Sequence, residues 1–355
     1  MFQKDGLNAL YREHKGALKM AHDVGAALKG RFFDMDDAVD CLMIAAISGE
    51  AMVMIGPPGT AKSRLVRSFC HLIGLIDDED IVAHSEGASL ASPHADYFEY
   101  LLTQFTEPSE LFGYYDIGLL TKHGKMERLD ENMMSKAKVV FLDEVFNASS
   151  AILNALLTFM NERKFHDRGK VHDVPLRMLI GATNFPPTDR TLSAVYDRFL
   201  LRVRMHNVAA PAVSQGEIVD LLKVGWQETH STVIEREEKW SGLLDGLQEF
   251  QVDLDNKTSS GELKIDENHP VFNALGVVVK TMVGAGLSDM SNRRIVKLSG
   301  LALAMCLLRG AGEGRKEVEI STRDLDVFTR FSLDREDPSW PSLLKQQLEN
   351  AGVSG

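Results

Sequence analysis

Cysteine is scarce. The chain has three in 355 residues, Cys41, Cys70 and Cys306. They lie far apart and share no ligand spacing, which excludes a zinc ribbon or a disulfide-stapled scaffold. A reduced, cytoplasmic setting is the expectation, with each thiol a small core residue. Basic charge is also short: 39 Lys plus Arg stand against 51 Asp plus Glu, a net of −12. That balance argues against a sequence-independent grip on nucleic acid, which needs a basic surface. No uncharged apolar run approaches the roughly 18 residues of a membrane-crossing helix. The stretch ALGVVVKTMVGAGL is short and broken by Lys280. The opening stretch MFQKDGLNALYREHKG has no apolar run behind its charges, so no secretory signal is expected there. What is present is ordinary for a soluble globular protein with a real core: 44% apolar and 25% charged residues. The length suits two or three domains.

Periodicity divides the chain. NALYREHKGALKMAHDVGAAL and MDDAVDCLMIAAISG repeat apolar residues at spacings of three and four, which predicts two helices. Four short apolar runs then read as buried strands: AMVMI, VVFLDE (Val139–Glu144), RMLIGATN (Arg177–Asn184) and FLLRV (Phe199–Val203). YFEYLL (Tyr97–Leu102) is a further strand candidate that also reads as helix. Strands alternating with helices predict an α/β fold with a parallel sheet. Ligands then bind where the strands' carboxyl ends converge. Near Ala210–Pro211 the pattern turns helical. SQGEIVDLLKVGW is one helix, and the apolar stretch that follows His269 holds two, split near Gly284–Ser291. STRDLDVFTRFS reads as a last helix, opened by a capping pattern from Ser321 to Asp324. Residues 1–210 are expected to form the α/β unit and 211–334 a small helical one. Ile234–His269 reads as a surface excursion, and 335–355 as a loosely held tail.

The chemistry begins at GPPGTAKS, which comprises Gly56, Pro57, Pro58, Gly59, Thr60, Ala61, Lys62 and Ser63. It follows a strand, precedes a helix and lacks only the glycine that the phosphate-loop pattern sets before its lysine. Backbone N–H groups, the positive end of the following helix and Lys62 would hold phosphate, while Ser63 would offer its hydroxyl to Mg²⁺. Arg64 extends the candidate set. Ala61 is expected at negative φ, the usual place for a residue with a Cβ, leaving Gly56 and Gly59 for the special angles. The alternative is a plain turn ending in a solvated lysine. VVFLDE brings Asp143 and Glu144 to the same sheet edge. Asp143 suits Mg²⁺ held through water, and Glu144 the orientation or deprotonation of an attacking water. Asn184 follows a strand expected to neighbour that one. Its amide suits a γ-phosphate or the lytic water, although an Asn before Pro186–Pro187 is also turn chemistry. Arg198 and Arg293 suit charge stabilisation in phosphoryl transfer, from this or a second subunit. Each alone reads equally as an ion-pair residue.

These stretches, with FEYLLTQFTEPSELFG, VFLDEVFNASSAILNALLTFMNERKF, LSAVYDRFLLR and SNRRIVKL, resemble the MoxR branch of the AAA+ ATPases, closest to the RavA type. The resemblance runs from Phe32 to Ser332. It implies that Lys62 and Ser63 are the Walker A lysine and magnesium hydroxyl, and that Asp143 and Glu144 are the Walker B pair. Asn184 resembles sensor 1, Arg198 the arginine finger acting on the neighbour's ATP, and Arg293 the sensor 2 arginine reaching from a helical lid. Alanine before the lysine is itself familiar in this family. Glu107–Leu129 would be the family's insertion, usually a hairpin facing the ring axis. Lys164–Pro175 would be another hairpin, turning near Gly169. ATP and Mg²⁺, a homo-hexameric ring, a von Willebrand factor A domain partner and a protein client are further implications. RavA-type proteins carry a further region beyond the lid, and this sequence ends soon after Ser332, so any partner assigned to that region is not carried over.

Three other readings stay open at this point: a nucleotide-dependent assembly scaffold with slow turnover, a nucleic-acid helicase or loader, and a CbbQ-like activator of ribulose bisphosphate carboxylase.

Overall fold

The computed structural model describes residues 1–77, 95–167, 170–189, 192–207, 215–230 and 238–352. The boundary read at 210/211 and the hairpin turn near Gly169 lie outside them. So does the start of the Ile234–His269 stretch.

Five short apolar runs form one parallel sheet: β1 (Met52–Ile55), β2 (Tyr97–Leu101), β3 (Val139–Asp143), β6 (Met178–Thr183) and β7 (Leu201–Arg204). Their order is β2-β3-β6-β1-β7. β1 lies between β6 and β7, with Met52 opposite Ile180 on one side and Leu201 on the other. Side chains alternate between faces, so a parallel sheet covered on both sides needs apolar residues at every position. Met52, Met54, Phe141, Ile180, Leu201 and Val203 join one core. Val53, Ile55, Val140, Leu142 and Leu179 join the other. YFEYLL is therefore the edge strand β2, which settles its ambiguity.

The first face is covered by helices from both ends of the chain. α1 (Lys4–Lys29) buries Leu7, Tyr11, Leu18, Ala21, Val24 and Leu28, the three-and-four spacing of its sequence. It packs against α2 (Asp36–Ser48) and against two helices of the C-terminal half. α3 (Lys62–Leu72) follows the glycine-rich loop. After β2 come α4 (Pro108–Phe112) and α5 (Ile117–His123). α6 (Ser150–Glu162), the hairpin β4 (Lys164–Asp167) with β5 (Lys170–Asp173), and α7 (Ser193–Tyr196) complete the α/β part. Downstream lie α8 (Gln215–His230), α9 (Leu243–Ser260), α10 (Val271–Gly284), α11 (Asn292–Gly312), α12 (Asp326–Phe331) and α13 (Trp340–Asn350).

Three local expectations are corrected. From residue 238 onward the supposed surface excursion is mostly α9, whose Leu243, Leu244, Leu247 and Phe250 are buried against α1. Its polar outer face and the charged residues flanking it masked that apolar stripe. The supposed loose tail contains α13, anchored by buried Trp340. The Glu107–Leu129 insertion is α4 and α5, closed by one antiparallel bridge between Tyr115 and Arg128, and forms no hairpin ladder. Glu107 and Glu110 make a capping box there, so local helix chemistry wins. The box read at Ser321 and Asp324 does form, at a 3-10 turn that leads into α12. α11 is long and apolar enough to cross a membrane, yet half of its apolar window is buried inside the protein, as in a core helix.

The burial of α9 is directly measurable. Leu247→Ala should cost about 2–5 kcal/mol in urea unfolding, as for other buried leucines. A surface excursion would lose no more than about 0.5 kcal/mol.

Candidate nucleotide site

Strand β1 ends at Ile55 and the chain enters the loop at Gly56. A Cβ on Gly56 would lie 2.3 Å from the Met205 carbonyl oxygen, so only glycine fits between β1 and the end of β7. Its role is close approach rather than a special angle. Gly59 does take positive φ, +86°. Ala61 overturns the expected backbone: it sits at φ 57°, ψ 26°, left-handed, as the N-cap of α3. The turn demands that conformation, and alanine meets it at a cost of about 1–2 kcal/mol relative to glycine. Leu65 N–H then donates to Ala61 O at 2.9 Å and opens the helix.

Lys62 is buried, and its Nζ donates to Gly56 O at 2.6 Å and Pro57 O at 3.1 Å. Thr60 Oγ1 donates to Pro57 O at 2.9 Å. Burial pulls the Lys62 ammonium below its usual range, against the opposing pull of Asp143 and Glu144. A buried ammonium at a helix amino terminus, beside a glycine-rich turn, suits a multiply charged phosphate. Ser63 and Asp143 offer hard oxygen donors of the kind Mg²⁺ takes.

Glu144 follows Asp143 at the carboxyl end of β3 and also lies left-handed, at φ 52°. A carboxylate held in such a strained turn is aimed by its surroundings. Asn184, at the carboxyl end of β6, donates from Nδ2 to Glu144 Oε1 in a short contact. Asn147 Nδ2 donates to Glu144 Oε2 at 3.2 Å. Burial, then the neighbouring Asp143, pushes the Glu144 carboxyl above its usual range, with Lys62 and Asn184 opposing. The expected convergence of Lys62, Asp143, Glu144 and Asn184 on one edge is therefore present. Asn147 had no motif to mark it.

Beside the loop lies a cavity of about 440 Å³. Gly59, Thr60, Ala61 and Arg64 line it, with the α1–α2 connection and the first turn of α2 (31–38), residues 204–207 at and just beyond the end of β7, and Leu221, Val224 and Gly225 of α8. Its volume falls in the range of small-molecule sites, and it adjoins the glycine-rich loop. Sequence reading missed these walls, because irregular segments carry no periodic signal.

The two arginines stand elsewhere. Arg198 precedes β7, and Arg293 opens α11. Both line a cleft with Gly49, Glu50 and Ala51, which precede β1, and with Leu176 and Leu179 at the start of β6. That is the amino edge of the sheet. Asp197 Oδ2 lies 3.7 Å from Arg198 Nη1 and 3.8 Å from Arg293 Nη1. Arg293 Nη2 also donates to Asn161 Oδ1 at 3.3 Å. Arg293 thus lies beside Arg198, at the opposite edge from Lys62, and does not reach over this chain's own loop. The physical reason is the packing of α11 against α1 and α2, which fixes its amino end at that edge.

Ala61 gives a signed test. At a left-handed position Ala61→Gly should raise stability by about 1 kcal/mol and keep nucleotide binding. At negative φ the same change would lower it by about 0.4–1 kcal/mol through the unfolded chain. Urea unfolding with and without nucleotide separates the two.

Comparison with known proteins identifies the family and the fold. Residues 19–249 match the family model of the MoxR domain in MoxR–vWA–β-propeller ternary systems. An uncharacterized protein of Methanocaldococcus jannaschii is 33% identical over 247 residues, covering 68% of this chain and 57% of that protein. A second uncharacterized protein from the same organism is 36% identical over 183 residues, covering 52% and 44%. The chain thus spans about half the length of these curated relatives. A crystal structure of a candidate ATPase from Cytophaga hutchinsonii superposes with a TM-score of 0.59 over 96% of both chains, at 14% identity, a likeness of fold. None of these matches reaches down to the RavA type. On the family match and the sheet order together, the chain belongs to the MoxR family of AAA+ ATPases.

Proposed function

We propose that this protein is an ATP-hydrolysing subunit of a homo-oligomeric ring, hexameric as the family resemblance implies, that remodels a protein partner. One observation carries the reading. Lys62, Asp143, Glu144 and Asn184 lie at the carboxyl edge of the sheet, whereas Arg198 and Arg293 lie together at the amino edge. A subunit built this way has half of a phosphoryl-transfer site on each side. Two copies arranged head to tail complete it, and a closed ring repeats the arrangement.

In the proposed site the α3 amino terminus and Lys62 bind the phosphates. Bound through Ser63 and Asp143, Mg²⁺ would neutralise charge on the β- and γ-phosphates. Glu144, its carboxyl shifted toward neutrality, takes a proton from the attacking water, and Asn184 orients it. Asn184 and Asn147 each occupy one acceptor site of the Glu144 carboxylate, which leaves lone pairs free for a water. Arg198 and Arg293 of the next subunit stabilise the charge that develops on the γ-phosphate. A partner with a von Willebrand factor A domain is in keeping with the systems from which the family model is described. A cytoplasmic setting is in keeping with three buried, unpaired cysteines.

Steady-state phosphate release tests the reading. Lys62→Ala should abolish hydrolysis, Glu144→Gln should slow it by about 10²–10⁴-fold, and Arg198→Ala by about 10³–10⁵-fold with binding retained. Unchanged release in Lys62→Ala and Glu144→Gln leaves a scaffold with incidental turnover. Both Arg198→Ala and Arg293→Ala should regain activity when mixed with Lys62→Ala subunits, since some interfaces then hold both halves. Mixed rings with no recovery would count against action between subunits.

A further inference from the structure

We propose that Asp334, in the segment after α12, is the positioning residue that holds Arg198 and Arg293 at one fixed spacing. The inference rests on the proposed role of those two arginines across a subunit interface.

Each of the two arginines is followed by a second, buried arginine. Arg202 lies on β7, four positions after Arg198, and Arg294 is next to Arg293 on α11. Both are almost fully shielded from water, at 3% and 2% exposure, so their N–H groups are driven to seek protein acceptors, and every guanidinium nitrogen but Arg294 Nε has one. Arg202 Nε donates to Phe199 O and Nη2 to Tyr196 O, each at 2.9 Å. Its guanidinium also stacks over the Tyr196 ring, 3.8 Å from the centroid. These contacts clamp the turn of residues 196–199, which carries Arg198. Arg294 Nη1 donates to Asp289 O at 3.2 Å and Nη2 to Ser332 O at 2.7 Å. Those contacts clamp the approach to α11, which carries Arg293.

One carboxylate joins the two clamps. Asp334 Oδ1 accepts from Arg202 Nη1 in a short contact. Asp334 Oδ2 accepts from Arg294 Nη1 and from Asp289 N–H, each at 3.0 Å. Its backbone is tied as well: Asp334 N–H donates to Leu287 O at 2.8 Å, and Asp334 O accepts from Arg204 Nη2 at 2.8 Å. Two buried guanidiniums repel each other, and Asp334 is the carboxylate that both contact. Burial, then the charge of Arg294, pushes Arg202 down to about 9, so the pair is under electrostatic load. With the carboxylate neutralised, the one direct charged bridge between the Arg202 and Arg294 arms is lost, and only the longer pull of Asp197 and the backbone ties of the segment remain. The spacing between Arg198 and Arg293 then drifts, and a shift of about 1 Å at a reacting group is enough for a 100-fold loss.

Asp334 does not itself line the loop or the cavity, and its one tie to the cavity wall, from Arg204, is through its backbone carbonyl. A change confined to its carboxylate keeps that tie, so the effect falls on the neighbour. That separates positioning from general damage. Asp334→Asn keeps the shape and one acceptor but removes the charge. It should lower kcat by about 100-fold while KM for ATP stays near that of the wild type. Mixed with Lys62→Ala subunits it should regain activity, because Lys62→Ala supplies an intact arginine face to the variant's intact loop. Mixed with Arg198→Ala subunits it should not, since both faces are then defective. If Asp334→Asn does not fold, Arg202→Lys, which keeps the charge and loses the two carbonyl contacts, should behave in the same way. Wild-type turnover in Asp334→Asn overturns the inference, and so does a loss that Lys62→Ala subunits fail to restore. The Arg198→Ala and Lys62→Ala mixture is the control: if it fails to recover, the cross-subunit reading fails first, and this inference with it.

Discussion

Strand direction is the constraint on which the rest depends. In a parallel sheet every carboxyl end leaves at one edge and every amino end at the other. Chemistry attached after β1, β3 and β6 therefore gathers on one side. A residue placed before β7, as Arg198 is, must lie a full strand length away. Four residues of strand span about 13 Å, so no side-chain rotation brings Arg198 to the Lys62 of its own chain. A γ-phosphate held by Lys62 can meet such an arginine only if it comes from another copy. The proposed ring follows from that geometry rather than from any apolar interface patch.

β7 links the two edges. It begins just after the Arg198 turn, pairs with β1 along its length, and leads into residues 205–207 in the wall of the nucleotide cavity. Arg204, its last residue, lines that cavity and also holds the Asp334 backbone. The segment after α12 is thus tied to the strand at both Arg202 and Arg204. Movement of the cavity wall on one side has a short, rigid route to the arginine face on the other. Buried ion pairs of this kind contribute little net stability, because desolvation offsets attraction. Their value here lies in fixing a spacing.

Much of this was legible in the sequence, for reasons that can be named. Four of the five sheet strands are short, wholly or largely apolar runs, and such a run has few other uses in a chain of this composition; the fifth, β2, carries Glu99 and also read as helix. Asp143, Glu144 and Asn184 were legible because each ends or directly follows a strand, and Lys62 because a glycine-rich loop joins it to one. Arg198 and Arg293 were visible as residues, but the edge on which Arg293 would fall was not. That edge depends on α11 packing against α1, across most of the chain's length. α9 was hidden by the polar residues of its outer face, and much of the cavity wall by the irregularity of 31–35 and 205–207. The left-handed backbone at Ala61 runs against residue preference, and such conflicts gather at functional turns.

The cavity also bears on how hydrolysis would do work in the proposed ring. Its walls come from the phosphate loop, from the α1–α2 connection, from residues 204–207 and from α8, which opens the C-terminal half. A nucleotide lodged among them ties four segments that are separate in sequence. The γ-phosphate adds a further tie, to the arginines of the next subunit. Its departure removes that outer tie and leaves the inner four. A ligand shifts a conformational equilibrium only by its difference in affinity for the two states. The free energy available for remodelling a client is therefore bounded by how much more tightly ATP than ADP holds the joined arrangement. That difference resides chiefly in the two arginines at the amino edge and in whatever keeps them together.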